Sequence, residues 1–341
     1  MERGMETLIF QNLEEIIDRE NIVRKIGAKK QLTCYIGFAP TGKIHIGYLI
    51  PCMKIRDLTV AGCKVAIMIA DIHAILDARK TPPHLVKLRS TYYQIILMKI
   101  LEILGAKVDN IKFVQGSDFQ KSGEYIMDLL ELSSRVTLVA AKKAGTEVIK
   151  QGGEGKLGSA IYPVMQAIDE NYVGQAAFGV QIDMELGGID QRKIFCFSRD
   201  LANENGKISY LMNPMLSLSN KGKMSCSDNM EKISIHDTDD NIEGKIEKAY
   251  CADGEANCGI MKMVEYVFFP MERKIIITMD NKIKCRYNTY EEFEKDFKNK
   301  IFTGRNLKES ITHLICDFVS KMREYLYEDT MQLLLDQAYP N

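Results

Sequence analysis

Apolar and polar positions in the first part of the chain predict strands that alternate with helices. Cys34–Phe38 is a short apolar run typical of a buried strand, and small and polar residues then turn the chain. From Ile44 to Leu58 the apolar residues recur at helical spacing, and Gly62 is placed to end that helix. Lys64–Ala70 is a second, continuous apolar run. A strand, a helix and a strand at this spacing predict a right-handed crossover within a parallel sheet.

The first turn of the predicted helix contains residues suited to binding an anion. His45 and Gly47 lie at its amino end, where free backbone amides and the helix dipole favour negative charge. The imidazole of His45 can donate a hydrogen bond to a phosphate, and the missing side chain of Gly47 lets a nucleotide ring approach the backbone. Taken alone, the segment is equally consistent with an ordinary turn and a capping histidine.

Polar residues also follow the second apolar run. Asp71 and His73 come directly after it, and the carboxyl end of a parallel strand faces the ligand crevice of such a sheet. Both residues are therefore pocket candidates. Capping of a turn is an equally good interpretation of the same pattern.

A later helix carries a polar face. In Ile161–Asp169, Tyr162, Gln166 and Asp169 follow at spacings of four and three, so the three side chains project from one side of a helix. Pro163 predicts that the first turn of this helix lies here. Apolar neighbours on both sides indicate that the polar face is lined and partly enclosed.

Two further segments combine glycine or lysine with hydrogen-bonding side chains. In Leu186–Lys193 two glycines let the backbone approach a ligand, and Asp190 and Gln191 are placed to hydrogen-bond it. The loop over 219–228 contains Lys223, which in one interpretation closes over transferring phosphates. In the other interpretation, the loop is an ordinary solvated stretch of lysine and serine.

Composition limits the classes of protein to which the chain can belong. The 341 residues are 46% hydrophobic and 27% charged, which is ordinary for a soluble chain of two domains. Because the net charge is −1, the chain as a whole does not attract RNA, and any RNA contact must come from local basic patches. Nine cysteines without a Cys-x-x-Cys pair argue against a disulfide framework or zinc knuckle. Met1–Glu20 is typical of an amphipathic helix rather than a targeting peptide, and no apolar run reaches membrane-spanning length, so we expect a cytoplasmic protein without membrane contact.

Beyond Ile233 the glycines become fewer and helical patterns predominate. Lys274–Arg286 is the exception, because its pattern predicts a β-hairpin. We therefore predict a second, mainly helical domain.

Five motifs follow one another along the chain, and together they resemble the tyrosyl-tRNA synthetases of the archaeal and eukaryotic cytosolic type, which are class I aminoacyl-tRNA synthetases. The motifs are His45–Tyr48, Asp71–His73, Tyr162–Asp169, Gly187–Lys193 and Lys223–Ser227. The resemblance implies an α/β fold with a Rossmann-like parallel-sheet catalytic domain over 1–232. It further implies a connective helical insert over about 105–160, a signature loop over 219–228 and a mainly helical anticodon-binding domain over 233–341.

The resemblance also implies a reaction and its partners. L-tyrosine is activated by ATP, which arrives with Mg²⁺, to give tyrosyl-adenylate and pyrophosphate. The tyrosyl group then passes to the 3′ end of tRNA(Tyr). The family implies a homodimer, no organic cofactor and no metal site in the protein itself.

Site residues are carried over motif by motif. The catalytic set is His45, Tyr48 and Lys223. The tyrosine-binding set is Tyr35, Tyr162, Gln166, Asp169, Gln191 and His73, in which Tyr35 and Asp169 hold the phenol hydroxyl and Tyr162, Gln166 and Gln191 hold the ammonium group. The ATP-binding set is Gly37, Thr41, His45, Gly47, Gly188, Asp190, Lys223, Met224, Ser225 and Cys226.

Four departures from the family pattern matter. Tyr48 replaces the second histidine of the first motif, and Cys226 replaces a serine or lysine of the signature loop. The segment over 174–181 is longer than usual. Asn306 stands where the family carries an aspartate that reads the first anticodon base, so we expect a weaker contact there.

Three alternatives remain at this stage. A tryptophanyl-tRNA synthetase shares the fold and chemistry, although Tyr35 with Asp169 favours tyrosine. A catalytically silent RNA-binding paralogue would not need His45, Lys223 or Asp190. A nucleotidylyltransferase uses the same histidine motif but would not need a helical anticodon domain.

Overall fold

The chain divides into two compact units, each assembled from separate stretches of sequence. The computed structural model describes residues 4–77, 81–149, 156–202, 208–218, 232–272, 274–279 and 283–340. The first unit comprises Met1–Gly42 and Lys54–Pro214, and the second comprises Lys43–Met53 and Met215–Asn341. The short segment that contains His45 therefore belongs to the second unit. The functional boundary at 232 and 233, and the insert over 105–160, stay predictions.

The first unit is built on a six-stranded sheet. Its strands are β1 (Glu15–Ile17), β2 (Thr33–Phe38), β3 (Lys64–Ile69), β4 (Ile111–Gln115), β5 (Met184–Gly188) and β6 (Ser209–Asn213). Their spatial order is β1-β6-β5-β2-β3-β4, and every neighbouring pair is parallel except β1 with β6. Helices connect the parallel strands, which confirms the predicted α/β fold.

Ten helices are described before the end of this sheet. They are α1 (Met5–Phe10), α2 (Arg19–Gly27), α3 (Leu49–Val60), α4 (Asp71–Leu76), α5 (Val86–Ile103), α6 (Gly116–Gln120), α7 (Gly123–Arg135), α8 (Leu138–Ala144), α9 (Leu157–Phe178) and α10 (Arg192–Leu201). Within the described part of the chain, no helix is long and apolar enough to cross a membrane.

The second unit is mainly helical, as predicted. Its helices are α11 (Asp239–Lys248), α12 (Gly259–Met263), α13 (Phe269–Glu272), α14 (Tyr290–Lys298), α15 (Gly304–Leu326) and α16 (Asp329–Ala338), with a π-helical turn over Val264–Phe268. The predicted hairpin is present as β7 (Ile275–Thr278) and β8 (Lys284–Tyr287), which pair in antiparallel register.

The sheet is covered on both faces, which explains why β3 is apolar and buried from Val65 to Ile69. Ala66 and Met68 of β3 belong to the core that α9 closes, and α9 contributes Met165 and Ile168 to it. The alternate residues of β3 are also buried, and α5 packs against this strand. The core thus fixes α9 over the middle of the sheet.

The amino-terminal prediction was wrong. The first twenty residues do not form one helix, because α1 ends at Phe10 and β1 follows. Asn12 has a φ of 57°, a left-handed conformation that breaks the helical path. Ile16 then pairs with Leu211 of β6, so a strand pairing competes successfully with the helical pattern.

Two further boundaries differ from the prediction. Asp71 and His73 do not end a strand, since β3 stops at Ile69 and both residues lie in α4. Pro163 does not lie in the first turn, because α9 begins six residues earlier at Leu157. In both places the boundary of the helix is set by the neighbouring residues that continue it, and not by the single residue from which the boundary was predicted.

Candidate active site

Strand register creates a row of polar side chains across the first unit's sheet. Tyr35 of β2 is paired with Glu185 of β5, and Glu185 is paired with Tyr210 of β6. Paired residues of neighbouring strands point to the same face of a sheet. All three side chains are buried, and the Tyr35 hydroxyl donates a hydrogen bond to Glu185 Oε1 over 2.7 Å.

Helix α9 meets this row with its own polar face. Gln166, Asp169 and Glu170 are buried on it, as the spacing predicted for the first two. The Gln166 amide nitrogen donates to Glu185 Oε1 over 2.9 Å and to Gln191 Oε1 over 2.8 Å. The predicted residues Gln166 and Gln191 are therefore in direct contact, although they lie on different elements.

Asp169 is wholly buried, and only one of its two carboxyl oxygens accepts hydrogen bonds from described residues. Its Oδ1 accepts hydrogen bonds from Gln120 and Tyr125, each over 2.8 Å. Its Oδ2 has no hydrogen-bond partner within the described residues. Burial raises the pKa of Asp169 to about 8, and the bonds from Gln120 and Tyr125 oppose that rise. An unpaired buried oxygen of this kind is a place for a ligand's hydrogen-bonding group.

His73 lies beside that free oxygen. Its Nε2 is 3.6 Å from Asp169 Oδ2 and also lacks a hydrogen-bond partner in the described part of the chain. Burial lowers the pKa of His73 to about 4, so the imidazole is neutral at physiological pH. Its ring makes an edge contact with Tyr162, with centroids 4.5 Å apart. His73 thus lies in the same buried cluster as Asp169, and its role in binding a ligand stays a prediction.

The contacts of Asp71 match the structural interpretation of the Asp71–His73 motif rather than the pocket interpretation. Its carboxylate accepts hydrogen bonds from the backbone amides of Ile72 and Ser117 and from the Gln115 side chain. These contacts tie the start of α4 to the end of β4. Asp71 therefore joins the start of α4 to the β4–α6 junction, in agreement with the structural interpretation.

Tyr35 and Asp169 come together in one polar cluster, but they do not share one hydrogen bond. Tyr35 donates to Glu185 instead. Burial, and then the charges of Glu185 and Asp169, raise the pKa of Tyr35 well above its usual value. Tyr162 belongs to the same cluster, since burial and nearby carboxylates that include Asp169 raise its pKa too.

The residues of the first unit that were predicted to bind ATP lie at or near the carboxyl ends of neighbouring parallel strands. Gly37 is in β2 and Gly188 ends β5, with Asp190 in the 3₁₀ turn that follows. The Thr41 carbonyl accepts a hydrogen bond from Arg89. In parallel sheets this edge is where ligands bind, and the ATP-binding role of these residues stays a prediction.

Gly187 allows Gln191 to reach the pocket. A Cβ atom at this position would lie 2.5 Å from the Phe195 ring and 3.1 Å from the Gln191 amide. Any side chain here would displace Gln191 or the ring.

His45 belongs to the second unit, where it is buried and pairs with Ser234 in an isolated bridge. Its Nδ1 accepts a hydrogen bond from the Gly47 amide over 3.1 Å. Burial, and then Lys232, lower the pKa of His45 to about 3. A neutral imidazole that accepts through Nδ1 carries its proton on Nε2, so His45 presents a donor. The Tyr48 ring makes an edge contact with His45, with centroids 4.9 Å apart.

Several predicted residues stay untested. Lys223, Met224, Ser225 and Cys226 lie outside the described residues. Asn306 is 3% exposed, and its Oδ1 accepts hydrogen bonds from Thr303 as part of the capping box that begins α15. Its anticodon contact stays a prediction.

Sequence reasoning missed five residues of the cluster, which are Glu185, Glu170, Tyr210, Gln120 and Tyr125. Glu185 carried a usable signal, because a carboxylate inside an otherwise apolar strand needs a buried partner. Gln120 and Tyr125 reach Asp169 from α6 and α7, more than forty residues away along the chain. No local pattern indicates such contacts.

Known proteins resemble this chain over nearly its full length. The model for class I tRNA synthetases (W and Y) matches residues 28–320. A probable cytoplasmic tyrosine–tRNA ligase of Enterocytozoon bieneusi is 39% identical over 338 residues, covering 98% of this chain and 95% of that protein. The cytoplasmic tyrosine–tRNA ligase of Gallus gallus is 36% identical over 339 residues, which cover 98% of this chain and 63% of the relative.

A solved structure agrees with these relatives. The tyrosyl-tRNA synthetase of Archaeoglobus fulgidus, complexed with L-tyrosine, superposes with a TM-score of 0.85 at 30% identity, covering 94% of this chain and 98% of that one. The chain belongs to the class I tRNA synthetases (W and Y). Its similarity to tyrosine–tRNA ligases confirms the resemblance that the five motifs predicted.

Proposed function

We propose that this protein is a tyrosine–tRNA ligase, which activates L-tyrosine with ATP and transfers it to tRNA(Tyr). The observation that carries the proposal is the buried pair of free polar atoms, Asp169 Oδ2 and His73 Nε2, beside Tyr35. A phenol hydroxyl both donates and accepts, so it satisfies such groups. The names of the relatives support the same conclusion, and those that carry the word cytoplasmic support a cytoplasmic location.

Activation needs positioning rather than a covalent nucleophile. The tyrosine carboxylate attacks the α-phosphorus of ATP, and the bond to pyrophosphate breaks. Gln166, Gln191 and Tyr162 hold the ammonium group, while Gly37, Thr41, Gly188 and Asp190 line the nucleotide side. Tyrosyl transfer to the terminal adenosine of tRNA then releases AMP. The chain's contribution is orientation and electrostatic stabilisation of the phosphates.

His45 and Lys223 are proposed to stabilise the phosphates, with Tyr48 beside His45. Neutral His45 supports this role, because its Nε2 proton is available for a phosphate oxygen. Gly47 is proposed to contact adenosine, and Met224, Ser225 and Cys226 to complete the ATP site. ATP with its Mg²⁺ enters as a substrate, and we propose no organic cofactor.

Phenylalanine and tryptophan are expected to bind poorly in this pocket. Phenylalanine lacks the hydroxyl and would leave Asp169 Oδ2 and His73 Nε2 buried without partners, which costs about 1–3 kcal/mol for each such group. An RNA-binding paralogue without activity would have no use for this enclosed cluster. The pocket therefore favours a tyrosine–tRNA ligase over a tryptophanyl-tRNA synthetase and over a silent RNA-binding paralogue.

The deciding experiment measures pyrophosphate exchange with each amino acid in turn, in the intact chain and in Asp169→Ala. We expect exchange with tyrosine alone, and a loss of at least about 100-fold in kcat/KM for tyrosine in the variant, which removes a buried hydrogen-bonding carboxyl group and its network. The KM for ATP should change less than threefold.

Asp128→Ala is the matched control for this experiment. Asp128 also accepts a hydrogen bond from a tyrosine hydroxyl, that of Tyr172, but in an exposed position. We expect wild-type exchange. Tryptophan-dependent exchange in the intact chain, or an unaltered tyrosine response in Asp169→Ala, would reject the proposed pocket.

We also propose that the protein is a homodimer. Large apolar side chains are exposed on the segment that was predicted as the insert: Ile126, Met127, Leu130, Leu138, Val139 and Leu157. Helices α7 and α8 both pack on α9, and their outer apolar residues are of the kind that a second copy covers. tRNA(Tyr) is the proposed nucleic-acid partner.

A further inference from the structure

Glu185 is a carboxylate in the floor of the tyrosine pocket, and the roles carried over from the family do not include it. It is 1% exposed and lies between Tyr35 and Tyr210 in the register of three parallel strands. Gln166 and Glu170 reach it from α9, where they are one turn apart. A buried carboxylate is costly unless its hydrogen bonds are satisfied, so these contacts define its role.

One oxygen of Glu185 determines the direction of two hydrogen bonds. Its Oε1 accepts from the Tyr35 hydroxyl over 2.7 Å and from the Gln166 amide over 2.9 Å. An ionised carboxylate can only accept, so both neighbours must turn a hydrogen toward it. The single proton of Tyr35 is therefore committed, and its oxygen can only accept from a ligand.

The same constraint fixes the orientation of the Gln166 amide. Its nitrogen faces two acceptors, Glu185 Oε1 and Gln191 Oε1, over 2.9 and 2.8 Å. The opposite amide orientation would place oxygen against oxygen. The carbonyl oxygen of Gln166 thus remains available as an acceptor, which is what an ammonium group requires.

Glu170 completes the arrangement through a shared proton. It is buried and accepts a hydrogen bond from the Tyr210 hydroxyl over 3.1 Å. Two adjacent buried carboxylates cannot both ionise. Burial raises the pKa of both carboxyl groups, and it raises that of Glu170 well above its usual value. Tyr35 and Gln166 both donate to Glu185 Oε1, which favours the ionised form of Glu185 and leaves the proton on Glu170. Glu185 Oε2 has no hydrogen-bond donor among the described side chains, so this oxygen is the one left to accept the Glu170 proton.

We propose that Glu185, held by a proton from Glu170, is a positioning residue that makes Tyr35 an acceptor for the substrate's phenol and the Gln166 carbonyl an acceptor for its ammonium. This inference rests on the proposed function. One carboxylate would then set the polarity at both ends of the pocket. Phenylalanine would lose the bond to Tyr35, and an analogue without the ammonium group would lose the bond to Gln166.

The test compares Glu185→Met, which keeps the approximate volume and removes the acceptor, with Glu185→Gln, which keeps an acceptor oxygen. Calorimetry gives the Kd for tyrosine and for phenylalanine, and pyrophosphate exchange gives kcat and both KM values. We expect Glu185→Met to weaken tyrosine at least about 10-fold, to reduce the preference over phenylalanine, and to leave the KM for ATP within about threefold. Glu185→Gln should recover most of the loss.

Asp128→Asn provides the control, because that carboxylate also accepts a tyrosine hydroxyl but lies at the surface. Its tyrosine Kd should match wild type. Equal effects of Glu185→Met on tyrosine and ATP, or no recovery in Glu185→Gln, would show a structural role and overturn the inference.

A double-mutant cycle keeps the test decisive even where Glu185→Met does not fold. Glu185→Gln is a weaker, uncharged acceptor, so we expect tyrosine to bind about threefold more weakly. In the Tyr35→Phe background the change should be smaller, because the donor is absent. Additive effects would overturn the inference. If the wild-type chain does not bind tyrosine, both the inference and the proposed function are overturned. If it binds tyrosine without pyrophosphate exchange, only the proposed enzyme activity is rejected, and calorimetry can still measure the mutant cycle.

Discussion

Asp169 shows how burial converts an ordinary carboxyl group into a recognition element. Gln120 and Tyr125 occupy one oxygen, and the other faces His73 without a donor. With its pKa raised to about 8, this group is mainly a neutral acid at pH 7. A bound ligand hydroxyl then meets a group that can donate as well as accept.

The raised pKa predicts how stability depends on pH. An unfolded aspartate has a pKa near 3.8, so between that value and about 8 the folded state binds more protons than the unfolded state. The free energy of unfolding contributed by Asp169 therefore falls as pH rises across this window. In Asp169→Asn this loss should be absent, so the variant should gain at least about 1 kcal/mol on wild type between pH 5 and pH 8.5.

Urea denaturation at both pH values measures this gain. The comparison is a difference between variant and wild type, so other groups that titrate in both chains largely cancel. Gly244→Ala, which alters no titratable group, is the control and should give a difference that does not change with pH. A constant difference for Asp169→Asn would mean that the carboxyl group does not titrate in this range.

Helix α9 is the element that organises the pocket. Its length lets one face supply Tyr162, Gln166, Asp169 and Glu170 to the sheet. It continues through the segment that was predicted to be unusually long and ends at Phe178, where Gly179 adopts a φ of 68°. Residues 174–181 thus form the last turn of α9 and a tight reversal before β5.

Gly174 is the point where the chain returns past α9. A Cβ atom there would lie 2.4 Å from the Val180 carbonyl oxygen and 2.8 Å from the Ile182 nitrogen. Because both are backbone atoms, they cannot move aside cheaply. Gly174→Ala should therefore lower the free energy of unfolding by about 1–3 kcal/mol in thermal or urea denaturation.

Gly244→Ala is the matched control, since Gly244 also lies inside a helix but has no atom within 4 Å of its Cβ position. It should stabilise the protein by about 0.5–1 kcal/mol through helix propensity. If the two substitutions had equal effects, the close approach at Gly174 would carry no energetic weight.

At the scale of the whole molecule, the chain combines an α/β unit that contains the tyrosine cluster with a mainly helical unit that contains His45 and Asn306. The segment Lys43–Met53 belongs to the second unit through backbone bonds such as Ile46 to Ile233.

The proposed homodimer gives the prediction at this scale. Met127 of α7 and Val139 of α8 are 64% and 76% exposed, so Met127→Asp with Val139→Asp places two charges on the outer faces of these helices. Burying unpaired charge between two copies is strongly unfavourable. We expect light scattering to show a dimer for the wild type and a monomer for the double variant at micromolar concentration. Leu333→Asp alters an equally exposed apolar residue of α16 and should leave the mass unchanged.

The sequence by itself determined what local chemistry can specify. Runs such as Lys64–Ala70 defined the sheet, and the spacing of Tyr162, Gln166 and Asp169 defined one polar face, because both depend on residues close together in the chain. Tertiary structure decided which groups meet that face. Glu185 reaches Tyr35 only through strand register, and Tyr125 reaches Asp169 only because two distant helices pack together. Such contacts join residues with no fixed spacing, so hydrogen-bond partners and shifted pKa values emerge only when the chain is folded.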